Sequence, residues 1–245
     1  MGGIRTEKQN DFWDSTWISD QFKDETEMID RYIPKVSVEY SYKLLGDVKG
    51  KKLLEIGCGS GYQTVEFCQK GAIVTAIDLS RESINGTKQR CMQNNIDNAE
   101  VEQMSAEVLA YKDNSFDRIY INKVVLHTDK QKVLQECRRV LKKDGVLVVN
   151  EMLKQWLFSF PYRTFSPYRK SKPKYITMAE VKSGFVEHKE FYLFSTFFLF
   201  LFYLKISKKI AFGVFNSIAK VDEAILKVFP CLRKFAWLTV AWLRK

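Results

Sequence analysis

Leu53-Leu54-Glu55-Ile56-Gly57-Cys58-Gly59-Ser60-Gly61 is the stretch that decides the fold of this 245-residue chain. A short, mostly apolar run empties into a loop with glycine at every second position, and a helix-like segment, Thr64–Lys70, follows. Such a loop lets a ligand lie directly against the backbone, because no Cβ intervenes. Seventeen residues past Gly61, a second apolar run, Ile73-Val74-Thr75-Ala76-Ile77, ends in Asp78. A carboxylate at the end of that strand can accept both hydroxyls of a ribose. The G-x-G-x-G spacing differs from the G-x-G-x-x-G of dinucleotide sites, so no pyrophosphate has to be cradled.

The pattern repeats outward. Val101–Met104, Arg118–Ile121 and Val146–Val149 are further short runs, mostly apolar and often β-branched, as expected of strands buried on both faces. Arg81–Asn94 and Lys130–Leu141 read as helices between them, the second stopped by Asp144-Gly145. Strand and helix alternating at this spacing predict βαβ units and a parallel sheet. The fold class is α/β. Ahead of it, residues 12–46 mix Trp13, Trp17, Phe22, Met28, Ile29 and Tyr32 with many charges and predict helices over the open end of the sheet, broken near Pro34. Residues 161–174, rich in proline and basic residues, read as a loop.

These motifs resemble class I S-adenosylmethionine-dependent methyltransferases. LLEIGCGSG is similar to their first motif and VTAIDLS to their second; QMSAEVLAY, FDRIYINKVVLHT and LQECRRVLKKDGVLVVNE follow in the family's order. The resemblance spans about residues 48–152. It implies a Rossmann-like sheet of seven strands, with strand 7 antiparallel, and S-adenosyl-L-methionine as cofactor. Carried over position by position, Glu55 lies near the methionine amino group, and Gly57, Gly59 and Gly61 pack against the cofactor. Asp78 binds the ribose and Leu79 flanks the adenine. Ala106 and Glu107 lie beside the adenine, and Asn122 faces the methionine end. Many relatives have Asp where Ser105 stands, so backbone near Ala106 takes over the adenine amine. The resemblance also implies strand six at Glu187–Phe194 and strand seven at Ala236–Leu243, with an insertion between them.

Other residues are candidates for chemistry of their own. His127 follows the fourth strand and can take a proton from an acceptor hydroxyl, although a packing role beside the cofactor loop is the preferred reading. His188 is assigned to structure. Cys58 reads as a small filler of the tight turn, not a nucleophile. Tyr40, Tyr42, Tyr162 and Tyr168 are further polar candidates that nothing ranks. Trp13 and Trp17 either close over the cofactor or pack as a helix. Five cysteines without a CxxC pair predict neither a disulfide framework nor a metal site. The polar start carries no secretory signal. A cytoplasmic location follows.

Charge sets the tail apart. Residues 1–151 hold 22 Lys and Arg against 24 Asp and Glu, whereas residues 152–245 hold 17 against 5 and carry 22 of the 34 aromatics. The run Phe191–Leu204 has no charge but is short of the ~20 residues a membrane span needs. It splits into the end of a strand and the start of a helix. Val214, Ile218, Val221, Ile225, Val228 and Leu232 then predict one apolar stripe of an amphipathic helix ended or bent at Pro230, with Lys208, Lys209, Lys220 and Lys227 off that stripe. Four segments follow: a lid at 1–47, the cofactor-binding core at 48–196, a basic apolar insertion at 197–232 and the final strand at 233–245. The nearly continuous hydrocarbon of Phe197–Leu204 argues against nucleic acid. Peripheral binding to an anionic membrane surface fits the composition best. The expected activity is methyl transfer to a lipophilic or membrane-associated small molecule. The alternatives are a soluble acceptor with the insertion forming a homodimer, or a catalytically inactive membrane adaptor.

Overall fold

In the computed structural model, β1 (Lys52–Ile56) buries four of its five residues and pairs in parallel with β2 (Ile73–Asp78) and β4 (Phe116–Asn122). Residues 11–15, 36–156, 173–197 and 208–245 are described. Seven strands form one sheet in the order β3-β2-β1-β4-β5-β7-β6, with β3 at Ala99–Gln103, β5 at Leu141–Met152, β6 at Glu187–Phe191 and β7 at Leu238–Arg244. Only β7 runs antiparallel to its neighbours, as expected for strand seven.

The two-residue period of the strands sorts side chains onto two cores. On one face Leu53, Val74, Tyr120 and Val148 pack with Leu45 of α1 (Val36–Leu45) and Phe67 of α2 (Tyr62–Gln69). On the other, Leu54, Ile119, Ile121 and Leu147 meet Val133, Cys137 and Val140 of α4 (Lys130–Val140). Each such side chain contributes about 1.5–3 kcal/mol by leaving water. Further helices among the described residues are α3 (Arg81–Gln93), α5 (Met178–Gly184) and α6 (Lys208–Val228). Local chemistry fixes their starts. Ser80 Oγ accepts from Ser83 N ahead of α3, Asp129 caps α4, and Thr177 with Glu180 forms a capping box on α5.

Five expectations need correction. The strand read at Val101–Met104 spans Ala99–Gln103 and is not buried on both faces, because β3 is the sheet edge and only β2 pairs with it. Asp144-Gly145 does not stop the second helix. The chain passes from α4 into β5 at Leu141, and Asp144, at φ 62°, bends the strand where its N–H donates to Lys245 O. Strand six ends at Phe191, not Phe194: Tyr192 is left-handed (φ 63°), and the N–H groups of Leu193, Phe194 and Ser195 all donate to Asp222 of α6. Strand seven starts at Leu238, two residues later than expected.

The fifth correction concerns α6. Its inward face is Phe215, Ala219, Asp222 and Leu226, one residue along from the expected stripe, and Val221 and Val228 are 55% and 67% exposed. The helix ends at Val228, and Pro230 opens a 3-10 turn, as expected. Trp17, the break near Pro34, Tyr162, Tyr168, most of the 161–174 loop, residues 198–207 and the Lys208 and Lys209 side chains lie outside the described residues. Among the described residues no helix is long and apolar enough to cross a membrane.

Candidate active site

From β1 the chain winds outward to β2 and β3, then returns to add β4 on the other side of β1. The loops leaving β1 and β4 therefore diverge, and a crevice opens at the carboxyl ends of those strands. The sequence places the glycine loop there. Gly57 N and Cys58 N both donate to Ile77 O, which ties the loop to the end of β2. Gly57 has φ 80°, and a Cβ on it would stand 2.1 Å from Val124 Cγ2 in the loop after β4. Gly61, at φ 77°, begins α2 with Thr87 of α3 packed where its Cβ would be.

Asp78 spans two loops. Its Oδ2 accepts from Gly59 N at 3.0 Å and its Oδ1 from Ser80 N at 2.9 Å. Burial raises its pKa, and these N–H groups pull against that shift. Leu79 follows, its carbonyl held by Gln103 Nε2. After β3, Ala106 is buried, and Glu107 Oε1 accepts from Asp129 N at 2.8 Å. Glu107 thus joins the third loop to the start of α4. The Ser105 hydroxyl accepts from Glu107 N, a turn bond that leaves no carboxylate at that position.

Glu55 is buried on β1 beneath α2, where Thr64 Oγ1 donates to its Oε2 at 2.6 Å. Burial pushes its pKa up to about 8. Asn122 closes β4 directly across from Asn150 of β5. Both side-chain oxygens are buried and have no hydrogen-bond partner, while Asn150 Nδ2 donates to Ser37 Oγ at the start of α1. A buried acceptor left open costs about 1–3 kcal/mol, so two side by side call for a donor from a ligand or an ordered water. His127 sits on the 3-10 turn Val125–His127, pinned from below by Glu151, whose Oε2 accepts from Leu126 N. Burial lowers the imidazole pKa to about 4, and the edge of Trp13 stands 4.7 Å from it, centroid to centroid.

Several contributors escaped the sequence reading. Thr87 Oγ1 donates to Gly59 O, and Arg90 Nε to Ser60 O while its guanidinium stacks on Tyr62. Both lie on α3 at a helical spacing of three, so one face of that helix clamps the glycine loop. Asp14, in the short helix at 11–15, accepts from Ser80 Oγ and Glu82 N and so holds that helix beside Asp78. Among the described residues no cluster of His, Cys, Asp and Glu is built to hold a metal. Cys58 is buried and its thiol is pushed up in pKa by that burial, which fits a filler and not a nucleophile.

Residues 54–149 match the family model for a methyltransferase domain. Over this segment the chain is similar to S-adenosylmethionine-dependent methyltransferases. The ubiquinone biosynthesis O-methyltransferase of Haemophilus ducreyi is 34% identical over 116 residues, 44% of this chain and 49% of that protein. The enzyme of the same name from Salmonella paratyphi A is 29% identical over 118 residues, again covering 49% of its length. The chain thus spans about half the length of the curated relatives it matches. The methyltransferase fold extends further than that similarity. Phosphoethanolamine N-methyltransferase 2 of Haemonchus contortus, solved with S-adenosyl-L-methionine, superposes with a TM-score of 0.67 at 17% identity, over 96% of this chain and 59% of that one. The [4+2]-cyclase SpnF superposes with a TM-score of 0.59 at 16% identity, over 86% and 80%. A cyclase and an N-methyltransferase on one sheet illustrate why the methyltransferase fold alone does not name the reaction.

Proposed function

We propose that this protein transfers a methyl group from S-adenosyl-L-methionine to a hydroxyl on a lipophilic, ring-bearing acceptor at the membrane surface. The observation that carries the cofactor assignment is the crevice between β1 and β4. There a glycine loop with no room for a Cβ at Gly57 meets Asp78 and the open acceptor of Asn122. Backbone N–H groups, among them those of Gly59 and Ser80, hold the carboxylate oxygens of Asp78, which keep lone pairs for ribose hydroxyls. Asn122 Oδ1 offers an acceptor to the methionine ammonium, with Glu55 behind it. Leu79 and Ala106 supply apolar contact for the adenine, and Glu107 braces the loop that carries them.

The cofactor brings the activated methyl on its sulfonium. The protein has to hold the acceptor oxygen in line with it and exclude water. His127 is neutral at pH 7 given its lowered pKa, so its ring can receive a hydrogen bond from an acceptor hydroxyl. Its burial against Trp13 equally suits closing the site over the cofactor.

Two observations support the lipophilic acceptor. The relatives act in ubiquinone biosynthesis by their names, and α6 turns Val221, Val228 and, just beyond it, Phe229 to solvent beside Lys220 and Lys227. Apolar side chains flanked by lysines suit the boundary between anionic head groups and acyl chains. The test is titration calorimetry with S-adenosyl-L-methionine on the wild type and Asp78→Ala, where affinity is expected to fall ~10- to 100-fold, about 1–3 kcal/mol. Equal affinity in the two proteins would remove Asp78 from the ribose and the cofactor pose with it.

A further inference from the structure

The crevice between β1 and β4 does not use the other end of the sheet. There α6 crosses the outer edge of β6, and between them lies a cavity of about 340 Å³. That volume is at the lower end of small-molecule pockets. Val36, Phe191, Tyr192, Ala219 and Leu226 supply its apolar wall. Two of the three charged groups around it lie in ion pairs. Glu223 pairs with Lys189 at 2.7 Å. The buried carboxylate of Glu190 has His188 Nδ1 2.7 Å away, accepts from Thr239 Oγ1 at 3.2 Å and has Arg233 Nε at 4.0 Å. Its Oε2 keeps no hydrogen-bond partner, but with Arg233 beside it the carboxylate does not select a cationic ligand. What remains on offer is an apolar, partly aromatic interior with Asn216 and the exposed Lys220 in its lining.

The position of the cavity narrows its occupant. Val36 begins α1, and the next residue, Ser37, accepts from Asn150, the cross-strand neighbour of Asn122. A chain of packed contacts through the start of α1 therefore joins the cavity to the methionine end of the proposed cofactor site. From β4 to β6 the sheet steps through β5 and β7, three strand spacings, or ~14 Å. A compact acceptor at β4 cannot reach that far, whereas a ring with a long hydrocarbon tail can. The opposite side of α6 carries the exposed Val221 and Val228, so the cavity and the apolar outer face share one helix.

We infer that the cavity between α6 and β6 receives the aliphatic tail of the methyl acceptor, while its ring stands at the end of β4. This rests on the acceptor reading above and sharpens it, since it makes chain length the determinant of recognition. Each methylene that leaves water for the cavity should raise affinity roughly fourfold, from the ~0.8 kcal/mol of a buried methylene.

The experiment measures binding and methylation of 4-alkylcatechols with butyl to dodecyl chains, below their micelle-forming concentrations, by the full chain with S-adenosyl-L-methionine present. Affinity is expected to climb about fourfold per carbon and then level off as the cavity fills. Ala219→Phe, which fills the cavity from α6, should weaken dodecyl binding at least 10-fold and leave butyl binding and cofactor affinity unchanged. Ala219→Leu should move the plateau to a shorter chain; intact cofactor binding in both variants reports that they fold. Chain-length dependence that survives Ala219→Phe would overturn the inference. The two readings fail separately. Methyl transfer indifferent to chain length and to position 219 would keep the acceptor class and discard the cavity. Chain binding sensitive to position 219 without methylation of any catechol would keep the cavity for hydrocarbon and discard the acceptor class.

Discussion

At the scale of single residues, the glycine loop and the carboxylate beneath it make the sharpest demands. A methyl group on Gly57 would meet Val124 Cγ2 at 2.1 Å in a left-handed backbone. Gly57→Ala is expected to cost about 2–5 kcal/mol, combining backbone strain with overpacking, and urea unfolding measures it. A loss below 1 kcal/mol would mean that the loop after β4 yields freely. Glu55 makes a different prediction. With its pKa raised to about 8 by burial, it holds its proton at pH 7. An ammonium placed against it favours the carboxylate and expels that proton, so cofactor affinity should rise with pH from 6.5 toward 8. Without ligand the sign reverses. The unfolded carboxylate ionises near 4.5, so this residue's contribution to stability is lost as pH rises from there to about 8. Calorimetry at pH 7 in two buffers of unlike ionisation enthalpy should show proton release; identical heats would separate Glu55 from the ammonium. The candidates named from sequence gather at one end of the sheet because strand ends are readable locally. Thr87, Arg90 and Asp14 were not readable, since each acts on a loop from an element far along the chain.

At the scale of elements, α6 shows how one charged residue can overrule a hydrophobic pattern. The series 214-218-221-225-228 reads as the buried stripe, yet the helix is rotated so that Asp222 faces inward. Its carboxylate accepts three backbone N–H groups at 2.8–2.9 Å and the Ser195 hydroxyl at 2.6 Å. Charge-assisted bonds in a buried nest outweigh the burial of Val221 and Val228, each worth about 1.5–3 kcal/mol at most. Asp222→Ala should therefore cost about 3 kcal/mol or more, because three buried N–H groups lose their acceptor. For a chain of this size that is a fall of roughly 6–12 °C in Tm, readable by calorimetry. A change under 2 °C would show that the nest is not what docks α6.

At the scale of the whole molecule, the charge asymmetry matters more than the net +10. The near-neutral part forms the five parallel strands and the glycine loop, and the basic part supplies β6, α6 and β7. Binding to anionic vesicles should weaken as salt rises, given a Debye length of about 10 Å at 0.1 M. Lys220→Gln with Lys227→Gln, both exposed on α6, should lower vesicle affinity by about 1 kcal/mol per lysine and leave cofactor affinity alone. Indifference to anionic lipid, with a concentration-dependent mass in solution, would hand the exposed face to a second copy of the chain.

The sequence alone determined the parallel α/β core, the strand that carries the glycine loop and the acid that ends the next strand. Each of these is written in adjacent residues: periodicity sets burial, and glycine sets where backbone can be approached. The tertiary structure alone decided where β6 stops, which face of α6 turns inward, and that α3 clamps the glycine loop. It also left Asn122 and Asn150 side by side with open acceptors. The physical reason is separation along the chain. Asp222 and Leu193 are 29 residues apart, and a hydrogen bond across that distance leaves no mark on the residues between.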